Sequence, residues 1–315
     1  MEEDKDTLQN PHDKFFKALF SEKEEATEFI SQTFPKDLVQ HLDLGTLELD
    51  HNNYVDEELR EHFSDLVYQC TYKNTVNLKI ALLFEHKSFQ PATPIHFQLM
   101  RYMLNIWEQN LSQKEKLTPV IPIIIYHGTK TWKKKNLSEY FIEEGVLNPE
   151  LIRFLPQFDY LLTDLSTYED DEIKQIFQLI SLQTGLLLMK KIFEKQLEDD
   201  LKSIFASVQE LLKTEKGRSI FRILLLYLYY ATQLELDQII KTMNAISSEV
   251  KEETLSLAQK LILEGKIEGK IEGKIEGKIE IVLYMHQKGL QVEQIADLTG
   301  LTPEFVLEII KKFKS

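Results

Sequence analysis

Apolar residues first recur at helical spacing in HDKFFKALFSEKEEATEFISQTF (12–34), where Phe15, Leu19, Ala26, Phe29 and Ile30 share a face, and Pro35 closes the segment. The period then changes. TLELD (46–50), FSDLVYQCTY (63–72) and VNLKIALLFEHK (76–87) read as strands, and the polar Lys73-Asn74-Thr75 between the last two reads as a hairpin turn. Helical spacing returns in IHFQLMRYMLNIWEQNL (95–111); PVIPIIIYHG (119–128) is a β-branched run bounded by Pro119 and Gly128, and FDYLLTDL (158–165) is a fifth strand. The order helix, three strands, helix, strand predicts an α/β (α+β) fold with helices around a mixed sheet. From about residue 168 the pattern is helical throughout. Three regions are therefore expected: a core over 10–167, a helical extension packed on it over 168–246, and a helical tail over 247–315.

The tail carries Gly-Lys-Ile-Glu four times between 265 and 280. Glycine at every fourth position costs a helix about 1 kcal/mol each relative to alanine, and like charges recur at the same spacing, so the repeat is weak as an isolated helix. Against another copy its Gly and Ile stripes allow close approach; otherwise it is a spacer. IVLYMHQKGLQVEQIADLTGLTPEFVLEIIKKF (281–313) reads as a helix-turn-helix pair stopped by Gly289 and Gly300. Its second helix, starting near Thr302, presents Glu304 and Glu308, which repel phosphate. Assembly into a homo-oligomer such as a dimer is thus expected of the tail rather than DNA reading.

Composition narrows the classes. The chain has 315 residues, 43% of them hydrophobic, enough for a large core and about two domains. A formal charge of −14 excludes coating nucleic acid or an anionic membrane through the overall field, so any nucleic-acid contact has to be local. The acidic start MEEDKDTLQN is the reverse of a leader, and ILLLYLYYA (223–231) is too short to span a bilayer, so a cytoplasmic protein with no membrane partner is expected. The single cysteine, Cys70, excludes an internal disulfide and a cysteine-cluster zinc site.

Candidate chemistry gathers where the strand IALLFEHKSF (80–89) ends in Glu85, His86 and Lys87. Residues two apart on a strand share a face, so Glu85 and Lys87 point one way and His86 the other. On the preceding strand Asp65 interrupts an apolar pattern. A turn centred on Thr75 sets Asp65 opposite Glu85 and one centred on Asn74 sets it diagonal; either keeps the acids on one face within roughly 4.5–8 Å, and a one-residue slip separates them. Two such carboxylates repel until a divalent cation joins them, and hard oxygen ligands suit Mg²⁺ or Mn²⁺. On the next helix Gln98 and Tyr102 stand four apart, placed to steer a substrate or a water. A solvated ion pair at an exposed strand end is the plainer reading of Glu85 and Lys87. The local basic patch is KTWKKK (130–135), where Lys130, Lys133, Lys134 and Lys135 would contact DNA phosphates and Trp132 would stack on bases, unless it is only a solvated loop.

The stretches HDKFFKALFS, SDLVYQC, IALLFEHKSF, FQLMRYMLNIW and PVIPIIIYHG, in this order, resemble the recombination-promoting nuclease family (Rpn, transposase-31, YhgA-like) of the PD-(D/E)XK superfamily over roughly residues 10–245. The resemblance implies a restriction-endonuclease-like α-β-β-β-α-β core and Mg²⁺-dependent DNA cleavage linked to recombination or mobile elements. It implies that Asp65 and Glu85 are the metal-binding acids, that Lys87 is the superfamily lysine, where many family members carry Gln, and that Gln98 and Tyr102 form a Gln-x-x-x-Tyr element. Asp13 on the first helix and Asp164 at the end of the fifth strand are lesser candidates; an Asp in a first helical turn is commonly a cap or dipole partner. The alternatives are a catalytically silent nuclease fold that binds DNA or protein, and a metal-free sugar hydrolase using Asp65 and Glu85 as acid and base.

Overall fold

The computed structural model describes residues 10–50, 64–73, 76–85, 94–141, 149–299 and 301–312, with backbone alone at 64, 65, 76, 77, 81–85, 149, 152, 264–278 and 312. The chain divides into two units, 1–254 and 255–315.

The first unit opens with α1 (Pro11–Phe20) and α2 (Lys23–Thr33). The sequence pattern expects one helix here, but the backbone is extended at Glu22, and the break lets Phe20 and Phe29 meet edge to face with ring centroids 5.1 Å apart. Five strands follow in the sheet order β1 (Leu42–Asp50), β2 (Ser64–Tyr72), β3 (Val76–Glu85), β4 (Val120–Tyr126) and β5 (Leu161–Asp164). The first three run antiparallel and the last two are added parallel. A parallel neighbour requires a crossover, and α3 (Ile95–Ser112) lies on the connection between β3 and β4.

Alternation along the strands buries both faces. Tyr68, Ile80, Ile123 and Ile125 lie on one, where α1 packs and the Tyr68 hydroxyl donates to the Phe20 carbonyl. Val67, Ile124 and Tyr126 lie on the other, under Ile95, Leu99, Tyr102 and Ile106 of α3.

Beyond residue 168 the chain is helical, as its pattern predicts, and it is fastened to the first two helices. In α4 (Ile180–Lys191) Gly185 meets α1 so closely that a Cβ there would lie 2.5 Å from Leu19 Cδ2. Glu28 of α2 accepts from the backbone N–H groups of Gln178 and Leu179, placing a carboxylate at the N-terminus of α4. In α5 (Glu215–Ala231) Tyr227 stacks on Phe15 at 4.0 Å, and Lys216 lies 3.2, 2.9 and 3.4 Å from carboxylate oxygens of Glu22, Glu24 and Glu25. Burial alone would lower the Lys216 ammonium; hydrogen bonds to Glu24 and Glu22 outweigh it and hold it above the usual lysine value.

In the second unit the Gly-Lys-Ile-Glu repeat is helical, within a helix α6 that runs from Ser248 to Gln287, about 60 Å at 1.5 Å per residue. It stops at Gly289, whose φ of 87° is the left-handed value glycine adopts without penalty. The helix pair read from the sequence is α7 (Val292–Thr299) and α8 (Pro303–Lys312), with the Thr302 hydroxyl accepting from the Phe305 N–H at the start of the latter. Val282 at the end of α6 joins Ile295, Ala296, Val306, Ile309 and Ile310 in one small core, making three helical segments rather than two. No helix of the described residues is long and apolar enough to cross a membrane.

Among the described residues a charged pair is buried in the sheet. Lys79 of β3 reaches across β2 to Asp50 at the end of β1, 3.1 Å away, and the same Asp50 oxygen accepts from Gln69 Nε2 at 2.8 Å. Removing one partner of a buried pair leaves an uncompensated charge, at a cost of about 3–5 kcal/mol. Lys79→Met is expected to lower the melting temperature sharply, and the double variant Lys79→Met with Asp50→Leu to recover much of the loss. Equal melting of the double and single variants would show that the pair is not the cause.

Candidate active site

The β2–β3 hairpin decides where the two acids stand. Its register pairs Ser64 with Phe84, Asp65 with Leu83 and Tyr72 with Val76. This register sets Asp65 diagonal to Glu85 on the same face, with Cα atoms roughly 7–8 Å apart for such a pair; the turn residues Asn74 and Thr75 lie outside the described residues. Tyr126 of β4 is level with Glu85, and Asp164 of β5 is level with Tyr126. On the other side of β2, Asp50 is level with Val67 and so diagonal to Asp65. Asp50, Asp65, Glu85 and Asp164 thus occupy one face toward one end of the sheet. His86 and Lys87 lie outside the described residues.

The helix above this face is oriented by its two ends. His96 in its first turn packs against Phe158 and Tyr160, and the Trp107 indole N–H near its other end donates to the Thr118 carbonyl just before β4 at 2.8 Å. As the crossover from the end of β3 to the start of the parallel β4, with Trp107 held just before β4, it runs antiparallel to both strands and begins at the end of the sheet that carries the acids. His96 and Trp107 lie on its β5 flank; Gln98 and Asn105, on the opposite flank of the wheel, lie toward β3 and β2. Gln98 is half-buried and its Oε1 atom is buried without a hydrogen-bond partner among the described residues. Tyr102 is fully buried in the core between helix and sheet. Asp13 stands in the first turn of α1 with one carboxylate oxygen buried. Its neighbour His12 lies 5.3 Å, ring to ring, from His127, which follows Tyr126 directly, so this helix end and Glu85 share one end of the sheet.

Two expectations are corrected. Trp132 does not offer its ring to bases: it is only 5% exposed and packs edge-on against Tyr126 at 5.1 Å, because the space between α3 and the ends of β4 and β5 accepts an indole. Asp164 is a structural clamp. One of its oxygens accepts from the Trp132 N–H at 2.7 Å and the other from the Ser166 N–H at 2.9 Å, so it fixes the lysine loop to the end of β5.

Two of the loop's lysines have contacts that fix them in place. Lys134 donates to the Tyr160 carbonyl at 2.6 Å and pairs with Asp159 at 2.7 Å; Lys135 lies over the Tyr140 ring at 5.5 Å. All four lysines of the loop are exposed. Sequence reasoning missed Asp50 and Lys79, although a lysine inside the apolar run VNLKIALLF is itself a sign of a buried partner. Among the described side chains, which do not include those of Asp65 and Glu85, no three His, Cys, Asp or Glu are grouped to hold a metal.

The model of the family described as "Putative transposase, YhgA-like" matches residues 10–219, two thirds of the chain, spanning all five strands, α3 and the lysine loop. The chain belongs to this family. Among curated proteins, this YhgA-like chain is 28% identical over 201 residues to "Recombination-promoting nuclease RpnC" of Escherichia coli (strain K12), covering 64% of each chain. It is 26% identical over 264 residues to "Recombination-promoting nuclease RpnD" of Escherichia coli O157:H7, covering 81% of this chain and 95% of that one. It is also 26% identical over 298 residues to "Inactive recombination-promoting nuclease-like protein RpnE" of strain K12, covering 94% and 96%. No solved structure matches the chain.

The Lys134–Asp159 pair gives a pH test of the loop's anchorage. Burial alone would raise the Asp159 carboxyl, but hydrogen bonds from Lys134 and the Tyr160 N–H hold it below the usual value. A depressed carboxylate contributes stability that is present above its unfolded pKa, about 3.9, and is lost as pH falls through the folded value. Lys134→Ala is expected to melt below the wild type at pH 7, with the gap narrowing below about pH 4. A gap that is the same at both pH values would remove the ion pair from the account.

Proposed function

We propose that this protein is a metal-dependent DNA endonuclease acting in recombination or at mobile elements, with a PD-(D/E)XK-type site built on the β2–β3 hairpin. The observation that carries the reading is the register that sets Asp65 diagonal to Glu85 on one face. Its curated relatives named as recombination-promoting nucleases support it.

The residues present fit Mg²⁺ or Mn²⁺. Two carboxylate positions on adjacent strands share a face, and the buried Oε1 of Gln98, on the helix flank turned toward those strands, is a third hard oxygen in need of a partner. Asp65 and Glu85 would hold the ion, which when bound supplies a Lewis acid for the phosphate and a more acidic water. Lys87, two positions past Glu85, would offset the negative charge that builds on phosphorus as water adds and an ester oxygen leaves. Gln98 would orient the substrate or the water from above. Tyr102 would keep the helix at its height over the sheet, and Asp13, at the start of α1, stands at the same end of the sheet. Lys130 and Lys133 would take up DNA phosphates while Lys134, with Asp164 and Trp132, holds the loop in place.

A second reading, a nuclease fold that binds DNA without cutting it, draws on the likeness to the relative named as inactive. The presence of Asp65, Glu85 and Lys87 together favours cutting. One experiment separates the readings, including a metal-free sugar hydrolase: supercoiled plasmid is incubated with the protein and Mg²⁺ or EDTA, beside Lys87→Ala. Nicking that requires Mg²⁺ and falls at least about a hundredfold in the variant is expected. Binding with no nicking under any metal would leave the silent reading, and equal nicking in EDTA would remove the metal.

A further inference from the structure

The helix α3 carries two apolar stripes, and the fold uses one. Ile95, Leu99, Tyr102 and Ile106, spaced four, three and four, are buried on the sheet. Phe97, Met100, Leu104, Trp107 and Leu111, spaced three, four, three and four, run along the opposite side. Phe97, Leu104 and Leu111 are 46%, 51% and 62% exposed, while Met100 and Trp107 are half-buried at the stripe's edge. The stripe is about 21 Å long, from the first turn of the helix to its last.

An exposed apolar strip of this kind marks a protein contact, and its uncharged seam offers nothing to a phosphate backbone. Alternating three- and four-residue spacing is the seam by which one helix receives the knobs of another. Flanking charges select the partner and its direction. Arg101 and Glu108, both exposed, stand on one side of the stripe at nearly equal distances from Leu104. In a parallel pair of identical helices the two copies of this flank fall on opposite sides of the seam, so Arg101 and Glu108 gain no partner across it. In an antiparallel pair about a two-fold axis near Leu104, each Arg101 meets the second copy's Glu108, Phe97 faces Leu111, and Leu104 faces itself. A self-complementary patch of this kind is what a closed two-fold dimer requires.

We propose that α3 is a homodimer interface, in which two copies of this chain pack their Phe97–Leu104–Leu111 stripes antiparallel. The inner stripe of the same helix covers the sheet face bearing Asp65 and Glu85, so the contact would sit directly behind the candidate site. The assignment rests on the stripe and its charges alone and holds whether or not the protein cuts DNA.

Cysteine cross-linking of the full-length chain reads this contact independently of any association through the tail. Cys70 is buried, so the wild type should remain a single chain on a non-reducing gel. Leu104→Cys should form a disulfide dimer under mild oxidation. Phe97→Cys and Leu111→Cys should each stay single alone and link when mixed. Arg101→Glu should cut the yield of the Leu104→Cys dimer severalfold, and adding Glu108→Arg should restore it. Absence of the Leu104→Cys dimer in a protein with wild-type circular dichroism would overturn the proposal, whether the stripe then takes a different protein or nothing. So would self-linking of both Phe97→Cys and Leu111→Cys, the mark of a parallel pair.

Discussion

Asp65 lies opposite Leu83 in the β2–β3 ladder, and the candidate site depends on that pairing. Strand side chains alternate with a period of two, so a slip of one residue would send Asp65 to the face covered by α1 and leave Glu85 alone under α3. The slip is opposed by what else shares the ladder. Val67 packs into the core under α3, and Tyr68 on the opposite face places its hydroxyl on the Phe20 carbonyl. Burial and the neighbouring Glu22 and Glu25 push that phenol well above its usual pKa, so it stays protonated and keeps donating. The register that sets Asp65 diagonal to Glu85 is therefore maintained by apolar and hydrogen-bonded neighbours elsewhere on the ladder.

The rest of the site is stacked on this frame. The crossover helix is tied down by Trp107 at one end and by His96 among aromatic rings at the other, where desolvation holds the imidazole below its usual pKa and thus neutral. That orientation turns the flank bearing Gln98 toward the acid-bearing strands. Asp164 and Trp132, both absorbed into structure, hold the lysine loop beside the end of β4. The helices after residue 168 act at one remove, by fixing α1 and α2 through Glu28, Lys216 and the close approach at Gly185.

Much of this was legible in the sequence, because the signals were local. The five strands, the crossover helix, the antiparallel pairing of β2 with β3 and the tail's paired helices follow from periodicity and from the residues that break it. The shared face of Asp65 and Glu85 was readable as one of two registers, both of which keep the acids together. What escaped depends on contacts distant in sequence. The irregular register between Asp43 and Glu48 of β1 decides that Asp50 is level with Val67, and no local pattern announces it. Trp132 among four lysines resembles a surface aromatic until the space beside Tyr126 is seen to accept its indole. Asp164 resembles a ligand until both of its oxygens are found on backbone N–H groups. The break at Glu22 was hidden because helical spacing continues across it.

In the proposed site Asp65 and Glu85 are like charges held together for a cation, an arrangement with a thermodynamic signature of its own. It is tested most directly by melting curves without DNA, of the wild type and of Asp65→Asn, in EDTA and across a Mg²⁺ titration. A ligand that binds only the folded state stabilises it by about 2.7 kcal/mol at a hundred times its Kd, which raises the melting temperature by several degrees. The wild type is expected to gain stability with Mg²⁺ and Asp65→Asn to gain far less, and in EDTA the variant is expected to melt at or above the wild type because one repelling charge is gone. An Asp65→Asn protein that melts well below the wild type in EDTA, or that responds to Mg²⁺ as fully as the wild type, would contradict the proposed site.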